Sequence, residues 1–320
     1  MERPKIELYK TRTFTEKLND TIGFMRESWR TQLKYFIYLM LPCSIVLAFF
    51  LNHFWGGYIS LFLAVQNIGG PRSDMGSFLL NAGVMSIVFM ATYALLVAFV
   101  FAMVRLYRAR EDRLKNLTAD ELKPELMICL RRSGVLMLAS IVIAIVALLL
   151  LVGLMVGAFA ANPGFGLLAL VLLYIALLVV VMPMMLVTPI YMLEDDISII
   201  PAFQKAFHLG FPTWGGIFAM VFILSILGSI IQTVTMGPWY ILFIIKMVFT
   251  MSNDLDGSFT NSIFYTSAEY ITCVLQSLGM LFSSILTLLG TTIQYGHAAD
   301  KIDGVGLAQK IEQFDEFDNF

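Results

Sequence analysis

An all-α integral membrane protein, a six-span helical bundle with amphipathic helices at its inner interface, is the fold class this sequence predicts. Three observations predict it. Of the 320 residues, 58% are hydrophobic and 14% charged, and the mean hydropathy is +0.80; water could not solvate that much apolar surface, but lipid can. Six apolar runs each reach the about 20 residues a helix needs to cross about 30 Å of hydrocarbon. Arg and Lys before, between and after those runs number 8, 1, 8, 0, 1, 1 and 2, which puts 19 on one side and 2 on the other. That alternation is the positive-inside bias, and it predicts a bacterial inner (cytoplasmic) membrane protein with both termini cytoplasmic. The net charge of −2 hides this separation of basic from neutral segments.

The expected order is a cytoplasmic segment over 1–34, a membrane domain over 35–293 and a cytoplasmic acidic and aromatic tail over 294–320. In the first segment Thr13 and Glu16 form a capping-box pattern, and Phe14, Leu18, Ile22, Met25 and Trp29 follow at helical spacing. Lys17, Arg26 and Arg30 lie off that row, as in a helix lying in the inner interface. The spans are expected at 35–54, 78–103, 135–160, 167–192, 217–236 and 271–293. The first starts behind a long polar segment with no small-residue cleavage site after it, so it is expected to stay on the mature protein.

Two shorter apolar stretches, 58–65 and 239–249, fall on the external side and read as interfacial or re-entrant; a crossing by the second would move the C-terminus outside. Before the third span, Thr118 and Glu121 repeat the capping box, with Leu122, Leu126 and Leu130 along one side. Before the fifth, Ile199, Phe203 and Phe207 with Lys205 and His208 follow the acidic turn Glu194, Asp195, Asp196. The pattern implies three copies of one unit, an interfacial helix followed by a transmembrane hairpin; the alternative is that juxtamembrane helices simply look alike. Small residues four apart, Gly153 and Gly157, Ala94, Ala98 and Ala102, Ser225 and Ser229, Gly279 and Ser283, favour close intramolecular helix packing over a homodimer face. Pro183 and Pro189 should bend the fourth span and free backbone carbonyls there.

Motifs for catalysis are missing. Three histidines cannot supply a multi-His iron site, and HExxH, GxSxG, a P-loop and paired intramembrane aspartates are all absent. Neither an enzyme nor a cofactor is expected, and Cys43, Cys129 and Cys273 read as buried thiols rather than metal ligands. Nucleic acid is not an expected partner, because the basic residues sit beside apolar runs where anionic headgroups account for them. The candidate lipid-binding residues are Arg12, Lys17, Arg26 and Arg30 with the cluster Arg105, Arg108, Arg110, Arg113 and Lys115. The candidate transport path is Lys246 and Glu269 with the bends at Pro183 and Pro189, since ionisable groups among membrane helices are costly unless function requires them; paired across a cavity, the two would form an ion or substrate gate. In the bland reading Lys246 snorkels to the surface and Glu269 sits at a helix N-terminus where the dipole favours it.

The segments 13–42, including TEKLNDTIGFMRESWR, and 201–223, PAFQKAFHLGFPTWGGIFAMVFI, resemble uncharacterised bacterial multi-pass membrane proteins related to the membrane domain attached to some glycerophosphodiester phosphodiesterases. In that group an AFQKAFHLG-like helix and a tryptophan-containing turn precede a late span, as Ala202 to Gly210 and Trp214 do here. GLAQKIEQF at 306–314 resembles the tail of such proteins. The resemblance covers the whole architecture but implies no catalytic role, since the soluble phosphodiesterase domain is not in this sequence. Some relatives carry a β-carotene oxygenase label, which three histidines do not support. The sequence thus leads to a non-catalytic accessory or scaffold protein binding anionic membrane lipid and a membrane protein partner, with a small permease for a lipid-like or amphipathic substrate as the alternative.

Overall fold

The structure, a computed structural model, describes residues 5–65, 75–251 and 259–308. Its described elements are all helical: α1 (Phe14–Glu27), α2 (Trp29–Val65), α3 (Met75–Ala109), α4 (Ala119–Ala161), α5 (Pro163–Met184), α6 (Val187–Leu193), α7 (Ile199–Gly210), α8 (Trp214–Met251) and α9 (Ile263–Asp303). Six segments are long and apolar enough to cross a membrane, α5 and α6 counting together as one. The chain is an all-α, multi-pass membrane protein.

The short apolar stretches are not separate re-entrant pieces. Residues 58–65 continue α2 and 239–249 continue α8, giving helices of 37 and 38 residues. Gly56 and Gly57, or Gly237 and Pro238, would end a helix in water. In an apolar surround the backbone must satisfy its own hydrogen bonds, which favours helix through such residues. At about 1.5 Å per residue both helices outreach a hydrocarbon core. The expected tail boundary also moves, because α9 runs to Asp303 and buries Tyr295, Ala298 and Ala299. The acidic residues Glu312, Asp315, Glu316 and Asp318 lie outside the described residues.

All three juxtamembrane segments are helical, but they differ in form. The first and third are the separate helices α1 and α7, whereas the second is the first part of α4 and runs without a break into the third span. Both capping boxes form: the Thr13 N–H donates to Glu16 Oε2 at 2.7 Å, and the Thr118 N–H to Glu121 Oε2 at 2.9 Å.

The chain divides into two compact units. The first comprises Met1–Trp29, Val97–Leu224 and Thr287–Phe320. Phe99, Phe101, Met103, Leu186, Ile190 and Tyr295 are fully buried in it. Here α1 turns Lys17, Thr21 and Phe24 inward, while Phe14 and Ile22 of its apolar row, and Trp29 at the start of α2, are exposed. The fourth span breaks after Pro183, which has no N–H to give to Val179 O four residues back. The Trp214 indole N–H supplies that bond at 3.1 Å, and Gly210 lies so close that a Cβ there would stand 2.6 Å from Pro183 Cα. The AFQKAFHLG helix and its tryptophan therefore brace the bend. By contrast α4 and α5 pack on each other with only 6% of each span's most apolar window buried. Gly153 and Gly157 face open space.

The second unit comprises Arg30–Leu96 and Ser225–Leu286, and so holds α2 with the first part of α3, the later part of α8 and the first part of α9. Ala48, Trp239 and Cys273 form its buried centre, with Leu51, Trp55, Phe243 and Tyr270 around them. Small residues allow α8 and α9 to approach: Gly228 meets Ser283, and Gly279 meets Thr235 so closely that no side chain would fit. Close intramolecular packing thus holds for Gly279 and Ser283, whereas Ser225 and Ser229 face outward.

Candidate functional site

The sequence analysis marked out Lys246 and Glu269 as rare ionisable groups among apolar residues, 23 residues apart on different helices. The structure brings them together: Lys246 Nζ donates to both Glu269 oxygens, at 3.0 and 2.8 Å. Lys246 does not reach away to the surface alone, and Glu269 sits two turns inside α9 rather than at its first residues. The carboxylate side chain is 8% exposed and the lysine 32%. Tyr265, one turn before Glu269, donates its hydroxyl to Leu242 O on α8 and fixes the two helices at this level.

This pair forms part of the wall of a cavity of about 520 Å³ within the second unit. Around it stand Phe49, Phe78 and Tyr270 as apolar faces and Asn52, His53, Asn81 and Thr266 as polar groups. Gly56 and Gly57 keep the α2 wall low, and a Cβ on Gly56 would meet nothing within 4 Å. His53 Nδ1 lies 2.9 Å from Phe49 O. A carbonyl can only accept, so Nδ1 carries the hydrogen and Nε2 is left as the acceptor of the neutral ring. Asn52 Oδ1 accepts from Trp239 Nε1 at 3.4 Å, which directs its amide N–H groups elsewhere. Such a mixture of ring faces with a few placed polar groups is how small-molecule sites are built. Below it, Tyr270 donates to Ile45 O and Cys273 to Ala48 O. One turn further along α2 and α9, Ser44 Oγ and Gln276 Oε1 are buried and have no hydrogen-bond partner among the described residues. Sequence reasoning missed Asn52, His53 and Asn81, because uncharged polar residues near a span end carry no distinctive signal.

Pro183 and Pro189 lie in the first unit with α5, α6 and α7, and neither is among the residues lining the cavity. Pro183 is a braced bend and Pro189 is buried within α6.

Several of the expected lipid-binding cations are used inside the first unit. Arg12 is 6% exposed and bonds Asp20 at 2.6 Å, and its backbone N–H donates to His297 Nδ1 at 2.9 Å. Lys17 is 5% exposed and donates to Gln294 Oε1 at 2.8 Å. Burial, with Lys301 and Arg12 adding repulsion, pushes the Lys17 ammonium pKa down to about 8. Neither residue presents its charge to lipid. Arg105 pairs with Glu125 and, at 2.7 Å, with Asp195, and the Arg105 hydrogen bond holds Asp195 below the ordinary carboxylate range. Arg132 joins the same carboxylate at 3.1 Å and also donates to the Tyr191 and Glu194 carbonyls. Lys205 and Tyr295 both engage Glu194. Arg110 binds Asp112 and Glu121, which takes the Asp112 carboxyl down to about 2, and Arg113 lies 3.8 Å from Glu27. Arg26, Arg30, Arg108 and Lys115 are exposed. The acidic turn 194–196, which looked like a plain connection in the sequence, is the hub of this network.

Among the described residues no group of three His, Cys, Asp or Glu is placed to hold a metal ion. No protein-family model, curated protein or solved structure matches the chain.

Proposed function

We propose that this protein is a carrier or permease for a small amphipathic, lipid-like molecule, set in a bacterial cytoplasmic membrane with both termini inside. The observation that carries this reading is the ion pair Lys246 and Glu269 on the wall of a cavity of about 520 Å³ bordered by aromatic rings. An ion pair among apolar helices costs desolvation that hydrophobic side chains of similar size would not. Its position beside a hollow supplies a reason to keep it. The buried, unpartnered Ser44 and Gln276 oxygens continue polar character along α2 and α9, as a path through the second unit requires. Kinship with the bacterial multi-pass proteins resembled by segments 13–42 and 201–223 belongs to the same reading.

A second reading keeps the chain as a non-catalytic scaffold whose α1 rests on anionic lipid and which docks a membrane partner. It is favoured by the outward apolar row Phe14, Ile22 and Trp29, 38 to 53% exposed, with Arg26 beside it. Arg12 and Lys17 no longer contribute to that surface, which leaves it fewer cations than the sequence implied.

Native mass spectrometry of the full chain, extracted gently from its membrane, separates the two. Carriage predicts a retained amphiphile, lost in Gly56→Phe, which adds a ring at the cavity wall where a Cβ meets nothing within 4 Å. A stoichiometric protein companion with no retained small molecule in either protein would replace carriage by the scaffold.

A further inference from the structure

We infer that the cavity of the second unit selects a polyol, a ligand whose head is a sugar-like ring or chain bearing several hydroxyl groups. The inference rests on the carrier reading and specifies its ligand class. Hydrogen-bond donors and acceptors stand together on the cavity wall. Asn52 Oδ1 is held by the Trp239 indole, which leaves the amide N–H groups as donors. His53 Nδ1 is engaged with Phe49 O, which leaves Nε2 as an acceptor. Glu269 can only accept, and a carboxylate has about four lone-pair sites, more than the bonds from Lys246 occupy. Asn81 and Thr266 each bring a donor and an acceptor.

This mixture suits hydroxyls better than it suits an ion. An ammonium head only donates, so it serves His53 and Glu269 and leaves the Asn52 N–H groups without an acceptor. A phosphate head accepts, so it serves Asn52 and turns oxygen toward the lone pairs of His53 and Glu269. Each hydroxyl donates once and accepts as well, so several on one head engage both sets at once. A simple alkyl alcohol has one hydroxyl and reaches one part of the wall. Polar groups shut off from water without a partner are costly, which turns this match into selection. The rings of Phe49, Phe78 and Tyr270 border the same space, and Phe78 is backed by Phe54 in a stack at 5.3 Å. Such faces suit the C–H side of a sugar ring, whose hydroxyls lie around its rim.

Depth points to the source. The α2 wall runs from Phe49 to Ser60. From the expected start of the span at Tyr35, these residues lie about 21 to 38 Å along the helix at 1.5 Å per residue. That straddles the far edge of about 30 Å of hydrocarbon, the level at which headgroups sit. A glycolipid headgroup and a free sugar entering from the adjoining water share the chemistry, and the experiment includes both.

The test uses the full chain in a polyoxyethylene ether detergent, which carries no sugar, with retention read by native mass spectrometry and by shift of melting temperature. The probes are octyl glucoside, octanol, octylamine and octyl phosphate, which share one chain, and glucose as the soluble polyol. The unaltered protein should retain the glucoside over the other three by about tenfold or more, the scale that about two additional hydrogen bonds supply. His53→Phe and Asn81→Leu should each narrow the glucoside's lead over octanol to about threefold or less. His53→Gln, which keeps a donor and an acceptor, should preserve more of that lead than His53→Phe. The ranking in the unaltered protein decides the matter even where a variant folds poorly. Glucose competing against the glucoside would assign the ligand to the soluble source, and its failure to compete would assign it to lipid. Retention of octanol, octylamine or octyl phosphate as strong as that of the glucoside would overturn polyol selection while leaving the cavity a binding site. So would a lead unchanged in well-folded His53→Phe and Asn81→Leu. Retention of none by the unaltered protein would remove the carrier reading itself.

Discussion

Ion pairs serve the two units in different ways. In the first unit Arg105, Arg132 and Lys205 converge on Glu194 and Asp195, and Arg105 and Arg132 each hold more than one partner. In the second, Lys246 and Glu269 hold each other at the wall of a hollow. The first arrangement locks a turn in place through shared partners. The second places an ammonium–carboxylate contact beside open space. A contact inside a packed turn resists exchange, and one at the edge of a hollow can trade partners with a ligand.

Arg132→Met should show this contrast most strongly. Its side chain is 14% exposed and gives up contacts to Asp195 and to the Tyr191 and Glu194 carbonyls together. Asp195 is 63% exposed, which keeps the ion pair itself on the scale of an exposed bridge, but the charged hydrogen bonds to two carbonyls are worth about 1.5–3 kcal/mol, so a fall in stability of about 2–3 kcal/mol is expected in detergent unfolding. A change under about 1 kcal/mol, the scale of an exposed pair, would show that the hub does not lock the turn.

A smaller effect comes through pH. Lys17 has a folded pKa of about 8 against an ordinary 10.5. Between those values the unfolded chain holds a proton that the folded chain has released, so this residue makes stability rise with pH across that window. Its burial penalty is complete below about pH 8. Melting curves from pH 7.5 to 10.5 should therefore climb less in Lys17→Met than in the unaltered protein. Parallel curves would mean that the Lys17 ammonium is not confined as the structure places it.

The smallest effect is expected from replacing both members of the pair at the cavity wall, Lys246→Met with Glu269→Gln. Neutral replacement of an entire ion pair is often close to neutral for stability, so the melting temperature should hold while retention of the glucoside falls with the loss of the carboxylate acceptor. A double variant that unfolds readily would make the pair a strut like those of the first unit.

Much of this architecture was legible in the sequence because hydropathy acts over whole segments. The six spans follow from that pattern, and both capping boxes from a Thr and a Glu three residues apart. Helix ends were harder to read: Gly56, Gly57, Gly237 and Pro238 look like breaks by rules drawn from water, and they are not breaks where the backbone has no solvent to bond. The facing of α1 was legible only in part. Phe14 and Ile22 of its apolar row are exposed, as an interfacial helix requires, but Lys17, read as part of the charged face, is packed inside. Lys246 and Glu269 stood out individually as ionisable groups beside apolar runs. Their pairing was one of two readings the sequence offered; what it did not carry is the alignment of α8 and α9 through Gly228, Gly279 and their partners that brings them into contact.

The sparse packing of α4 and α5 has a mechanical consequence. With 6% of each apolar window buried, this hairpin takes most of its neighbours from acyl chains and little of its anchorage from the rest of the protein. α5 has 22 residues, about 33 Å at 1.5 Å per residue, so it is cut close to the thickness of the leaflets around it. A thinner or thicker bilayer meets little resistance in tilting it, at a cost of fractions of a kcal/mol per Å of mismatch. The first unit therefore carries a hairpin seated mainly in the surrounding membrane, and the contacts of Trp214 and Gly210 at the bend fix where its packed base ends.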